Sequence, residues 1–135
     1  MSHDNIDVPK VCKTSEKQQT YIDIAMRLAQ KSVMEHKHGA VVVINNEVIA
    51  VGFNHKQEFM CHQRSIHAEV DAILKVKGRH KSLLNDAEMY VVRIGTVRMN
   101  FPLKYSKPCC ECQKVIRKYG IRKVYYSTND EIKLH

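Results

Sequence analysis

Two stretches hold the residues able to do chemistry: Ile66-His67-Ala68-Glu69-Val70 and, well downstream, Lys107-Pro108-Cys109-Cys110-Glu111-Cys112. Together they read His-x-Glu followed by Pro-Cys-x-x-Cys. A catalytic zinc ion takes three protein ligands, imidazole and thiolate among the favoured donors, and leaves its fourth position to water. His67, Cys109 and Cys112 supply that set, and Glu69 is left over to move protons. Pro108 fits the start of a helix, where its missing N–H costs nothing. Cys109 and Cys112 then lie at i and i+3 on one face of the first turn. The positive end of the helix dipole and a metal both favour thiolates there. His67 and Glu69 open a second helix, with Ser65 as the expected N-cap. Residues at i and i+2 share no face in mid-helix, but off a helix start both reach one pocket. The site is therefore expected between two converging helix N-termini. A structural zinc would want a fourth protein ligand, and Cys110 is the only neighbouring thiol. As the residue after Cys109 it points elsewhere on the helix.

The elements that hold these stretches follow from periodicity. Ser15-Glu16-Lys17-Gln18 resembles a capping box. Tyr21, Ala25, Leu28 and Ala29 then repeat at helical spacing, with Ile22, Met26 and Val33 widening the stripe. His36, Lys37 and His38 are expected at the end of this helix, with Gly39 as its stop. Ala40 to Ile44 and Glu47 to Val51 are β-branched runs joined by Asn45-Asn46, a two-residue hairpin turn. The first run is apolar throughout and implies burial on both faces. His55 to Arg64 reads as a polar loop. Its Cys61-His62 pair could hold part of a second metal site, but no further pair has ligand spacing. Ile66, Val70, Ile73 and Leu74 form a stripe behind His67 and Glu69, with Gly78 as its end. A basic loop, a strand Glu88 to Ile94, the Pro-Cys helix packing through Val115, Ile116 and Tyr119, and a strand Ile121 to Tyr126 complete the chain. A strand-helix-strand connection implies a parallel, right-handed crossover. The fold class is α/β: a three-layer α/β/α sandwich on a mixed, mostly five-stranded sheet.

Composition bounds the rest. The 135 residues read as one domain spanning 1–135, with 1–14 a flexible tail. No apolar run approaches a membrane span and no signal-peptide pattern opens the chain. Five cysteines, three within 109–112, do not form a disulfide framework, so a cytoplasmic, reducing setting is expected. A formal net charge of +8 suits either a solvated basic surface or an anionic ligand, a nucleotide or a nucleic acid.

With both motifs in this order, the chain resembles the cytidine deaminase-like superfamily from about Glu16 to Ser127. His67 as first ligand is similar to deoxycytidylate and tRNA-adenosine deaminases. Gly120-Ile121-Arg122-Lys123-Val124-Tyr125-Tyr126 after Pro-Cys-x-x-Cys resembles the deoxycytidylate enzymes in particular. Gly39-Ala40-Val41-Val42 looks like the family's first strand, and Gly52-Phe53-Asn54 like its Gly-aromatic-Asn. Two features depart from the pattern. Gly95 to Lys107 intervenes before Pro108, and Asp71 stands where many nucleotide members have Asn. The resemblance implies zinc as cofactor and Glu69 as the catalytic acid–base. It places Asn54, Ala68 and Pro108 against substrate, Asn54 at the sugar, and a homo-oligomer is expected. Arg98 and Lys104, in the intervening segment, are candidate phosphate contacts.

The implied reaction is hydrolytic deamination at C4 of a cytosine or C6 of an adenine, a hydrolase step on a cyclic amidine. The leading expectation is a cytosine nucleoside or nucleotide, deoxycytidylate above all. An editing enzyme on RNA or single-stranded DNA is the second reading, with Phe101 and Tyr105 stacking on bases. A catalytically silent zinc module is the third, and an intact Glu69 argues against it.

Overall fold

The computed structural model describes residues 10–11, 14–59, 62–96, 102–129 and 131–135. Of the residues singled out above, Cys61, Arg98 and Phe101 lie outside these, and His62 is described only as backbone.

Helix α1 (Glu16–Gln30) starts as expected: Ser15 Oγ accepts from the Gln18 N–H, and the Gln18 side chain accepts from the Ser15 N–H. It ends earlier than expected. Lys31 caps it, Ser32 is buried, and Val33 is 91 % exposed instead of widening the stripe. Gly39 is therefore no helix stop; it lies in β2 (Lys37–Ile44) together with His38. A Cβ on Gly39 would sit 1.9 Å from the Ala25 carbonyl oxygen, so the missing side chain is what lets α1 press on this strand. β2 turns at Asn45 (φ 50°) and Asn46 (φ 62°) into β3 (Glu47–Phe53), the tight hairpin its sequence calls for.

The stretch expected as a polar loop is instead a separate antiparallel hairpin, β4 (His55–Phe59) with β5 (His62–Ile66). It delivers the chain to α2 (Ala68–Leu74). Gly78 opens the short α3 (Gly78–Lys81) and does not end α2, which Lys75 caps. β6 (Glu88–Ile94) has the expected bounds. Then come β7 (Leu103–Lys104), α4 (Cys110–Lys118), β8 (Lys123–Ser127) and β9 (Ile132–Leu134). Lys10–Val11, expected in a loose tail, forms β1 against β9.

The mixed sheet runs β1-β9-β8-β6-β2-β3, with β6 and β8 parallel across α4. β7 pairs with Arg93 and Ile94, beyond the last residue of β6 that β8 reaches. Part of the segment before Pro108 thus extends the sheet beside the end of β6. Alternation along the buried strands splits the core in two. Val41, Val43, Tyr90, Val92 and Tyr125 meet α1. Ala40, Val42, Met89, Val91, Val124 and Tyr126 meet α2 and α4 on the other face. This is the α/β/α sandwich. Among the described residues no helix is long and apolar enough to cross a membrane.

Candidate active site

α2 and α4 lie on the same face of the sheet, and their first turns converge. His67 is itself the N-cap of α2 (φ −75°, ψ 152°), where Ser65 was expected; Ser65 belongs to β5. Cys109 is the N-cap of α4 (φ −68°, ψ 169°), so Pro108 precedes the helix instead of opening it. Extended backbone at both caps turns these side chains off the helix ends toward each other. Cys109 Sγ accepts the Cys112 N–H at 3.4 Å, so one sulfur caps the turn that presents the other. Gly52 allows α2 to lie close against β3, since a Cβ there would stand 2.5 Å from the Ala72 nitrogen. Asp71 then ties the two together, accepting from the Phe53 N–H at 3.1 Å and from Lys75 Nζ at 3.0 Å.

The donor atoms of His67, Cys109 and Cys112 lie within 4.8 Å of one another. His67 Nδ1 is 3.1 Å from Cys112 Sγ and 3.7 Å from Cys109 Sγ. Zinc bonds of ~2.3 Å to sulfur and ~2.0 Å to nitrogen, at a tetrahedral angle, put such atoms about 3.5 Å apart. The trio fits one zinc ion. Cys110 is exposed and outside the group. Glu69 is 4 % exposed beside it. Burial pushes its carboxyl above the usual range, while a hydrogen bond from its own backbone N–H and the neighbouring His67 pull the other way. Burial likewise pushes the Cys112 thiol up, a penalty that a bound cation reverses.

A cleft of about 450 Å³ opens over these residues, lined by His67, Ala68, Glu69 and Cys109 and also by Asn54. The Asn54 carboxamide is 7 % exposed in all; its Oδ1 accepts the His38 N–H at 2.9 Å and its Nδ2 donates to the His36 carbonyl at 2.6 Å. Pro108 does not line the cleft. It is buried and borders a different cavity of about 210 Å³ behind α4. Lys104 does not line the cleft either, though it stands opposite Arg93 in the β6–β7 ladder. Lys107 does.

Sequence reasoning missed the part of the lining made by Met34, Glu35, His36 and His38. His36 and His38 were placed at a helix end; they stand instead where α1 has stopped and β2 begins. Arg93 Nη2 donates to His36 Nδ1 at 2.7 Å. Ser106 was missed as well. Its Oγ donates within the sheet, to the Val91 carbonyl at 3.0 Å, and accepts the Ser127 N–H at 2.8 Å. That stitch fixes the strip leading into Cys109. No sequence signal marks it, because a serine buried at a strand junction looks like any loop serine.

This donor set, on this sandwich, is the construction of the zinc-dependent hydrolytic deaminases. The chain belongs to one family of them: residues 15–128 match the cytidine and deoxycytidylate deaminase zinc-binding region. Among solved structures it is similar to the dCMP deaminase of the cyanophage S-TIM5, at 25% identity over 84% of each chain with a TM-score of 0.56. The same phage enzyme in complex with dCMP and dUMP matches at 23% identity over 85% of this chain and 83% of that one, TM-score 0.58. Cytidine deaminase from Burkholderia pseudomallei shares the fold at 19% identity, covering 87% of this chain and 90% of that one, TM-score 0.61. A search of curated protein sequences finds no match. The protein is a zinc-dependent deaminase of cytidine-type substrates.

Proposed function

We propose that the enzyme converts deoxycytidylate and water to deoxyuridylate and ammonia. The observation that carries this reading is Lys107, the one lysine or arginine among the described residues lining the cleft. The Arg93 guanidinium donates to His36 of the same lining. A lysine so placed suits a monophosphate. The similarity to a phage dCMP deaminase at 25% identity supports the same reading.

His67, Cys109 and Cys112 would hold zinc, which would supply a Lewis acid and an acidified water near neutral pH. The remaining work falls to the chain's own groups. Glu69 takes a proton from the attacking water and delivers it to N3 of the cytosine. It then carries the second proton from the new C4 hydroxyl to the amino group, so that ammonia leaves and C4 becomes a carbonyl. A buried carboxyl that holds its proton readily is suited to both transfers. Ala68 has no side chain beyond Cβ and leaves room for the base. Asn54, whose Nδ2 has a second N–H beyond the one given to His36, donates to the sugar. Lys107 binds the phosphate, with Arg98, outside the described residues, as a further candidate from the same segment.

The test is kcat/KM for deoxycytidylate, deoxycytidine and a short cytosine oligonucleotide at two salt concentrations, in wild type and Lys107→Ala. Loss of one charge-assisted contact should cost the monophosphate about 10- to 100-fold and leave the nucleoside nearly unchanged. Preference for the oligonucleotide, with affinity falling steeply in salt, would mean a polynucleotide substrate instead, gripped at many phosphates. Equal turnover of nucleoside and monophosphate would sink the phosphate reading.

A further inference from the structure

We propose that His38 accepts a hydrogen bond through Nε2 from the 3′-hydroxyl of the substrate's sugar, and so sets specificity within the cleft. The inference rests on the deoxycytidylate reading, in which that hydroxyl is the only one on the sugar.

Strand alternation places the side chain. His38 shares a sheet face with Ala40 and Val42, which pack toward α2 and α4, and it lines the cleft. Its Nδ1 lies 3.3 Å from the His36 carbonyl oxygen. A carbonyl only accepts, so Nδ1 carries the hydrogen and Nε2 is left with its lone pair. Burial, opposed by the hydrogen bond to His36 but reinforced by the charge of Arg93, lowers the His38 pKa to about 4. At neutral pH the ring is therefore an acceptor and not a second cation. The backbone that carries the ring is also held. Asn54 binds the backbone of both His38 and His36, as described above, so neither can drift without breaking a buried bond.

The neighbours leave this acceptor uncommitted. Among the described residues, the hydrogen bond of the His38 ring is the one through Nδ1. The ring is half-buried and lines the cleft. The other polar groups of the lining suit it less. Ser106 is used up inside the sheet, Lys107 can only donate, Glu69 sits with the metal ligands, Asn54 Oδ1 already takes the His38 N–H, and His36 and Ser65 are exposed to water. The Glu35 carboxylate is exposed to water. A hydroxyl must donate to something on entering, and a half-buried imidazole nitrogen gains more from the bond than a solvated carboxylate does.

The experiment removes the bond from either side. kcat/KM is measured for deoxycytidylate and for 2′,3′-dideoxycytidine monophosphate, in wild type, His38→Phe and His38→Gln. Calorimetric Kd values for dUMP and its dideoxy counterpart supply a readout that needs no turnover. Wild type should favour the hydroxyl-bearing member of each pair by about tenfold or more, because its absence leaves a polar group unpaired. In His38→Phe the ratio should fall to within about twofold, and His38→Gln, which restores an acceptor, should recover part of it. Should the phenylalanine variant fail to fold, His38→Leu carries the same comparison. An equal ratio in wild type and variant, with wild type active on deoxycytidylate, overturns the role of His38 alone. A wild type that turns over no mononucleotide overturns the deoxycytidylate reading and this inference together.

Discussion

Cys109 and Cys110 are adjacent and both exposed, yet only the first faces His67. Cys109→Ala should therefore abolish stoichiometric zinc, and Cys110→Ala should keep about one ion per chain, as a three-ligand site requires. Metal analysis decides, and equal loss in both would place the ligand register wrongly. Glu69→Gln removes proton transfer and no ligand. It should retain zinc while kcat/KM falls about 10²- to 10⁴-fold. A variant stripped of metal would instead make Glu69 a ligand. These residues were legible because metal chemistry restricts residue type and a helix start restricts spacing. His36 and His38 were not, because their place depends on where the preceding helix stops. His38 has a measurable acid signature. Its pKa is lowered in the fold, chiefly by burial and also by the charges of Arg93, His67 and His36. Its stabilising share is thus full above the unfolded value of about 6.5 and is lost as pH falls toward the folded one. Wild type should lose Tm between pH 7.5 and pH 4.5 faster than His38→Gln. The difference between the two proteins cancels any acid release of metal, and parallel curves would mean the ring titrates in the fold as it does in the unfolded chain.

At the scale of elements, what the sequence states outright is what local chemistry settles. The Ser15–Gln18 capping box and the Asn45-Asn46 turn need only a few residues each, and both stand where they were read. The end of α1 needs more. Tyr21, Ala25 and Ala29 face the sheet, but the next turn would have to bury Val33, which stands in solvent, and Ser32 instead takes the Met34 N–H on its Oγ. The β4–β5 hairpin escaped notice for a related reason: its residues lack the apolar alternation that marks a strand over a core. Gly39 shows how tightly α1 seats. In Gly39→Ala the new methyl meets the Ala25 backbone, which has no flexible end to swing aside. Overpacking of this kind should cost about 1–3 kcal/mol or more in denaturant unfolding. Unchanged stability would mean α1 can ride up without loss.

At the scale of the molecule, β1 and β9 matter for what they bring together. Lys10 stands opposite Leu134, so two distant parts of the chain are strand neighbours, about 5 Å apart by ordinary ladder geometry. Gly78, by contrast, is exposed at the start of the short α3, with nothing within 4 Å of where a Cβ would be. The chain could be closed by a short link at the first place and cut at the second. In that circular permutant Cys109 and Cys112 come before His67 and Glu69, yet α2 and α4 still lie side by side. It should fold, bind one zinc per chain and keep its activity, checked by metal analysis and turnover. A folded permutant without metal would show that the cut had disturbed α2. The order in which the two stretches are written is then an accident of connectivity: a search for His-x-Glu followed by Pro-Cys-x-x-Cys would pass over the rearranged enzyme, while the ion would still find it.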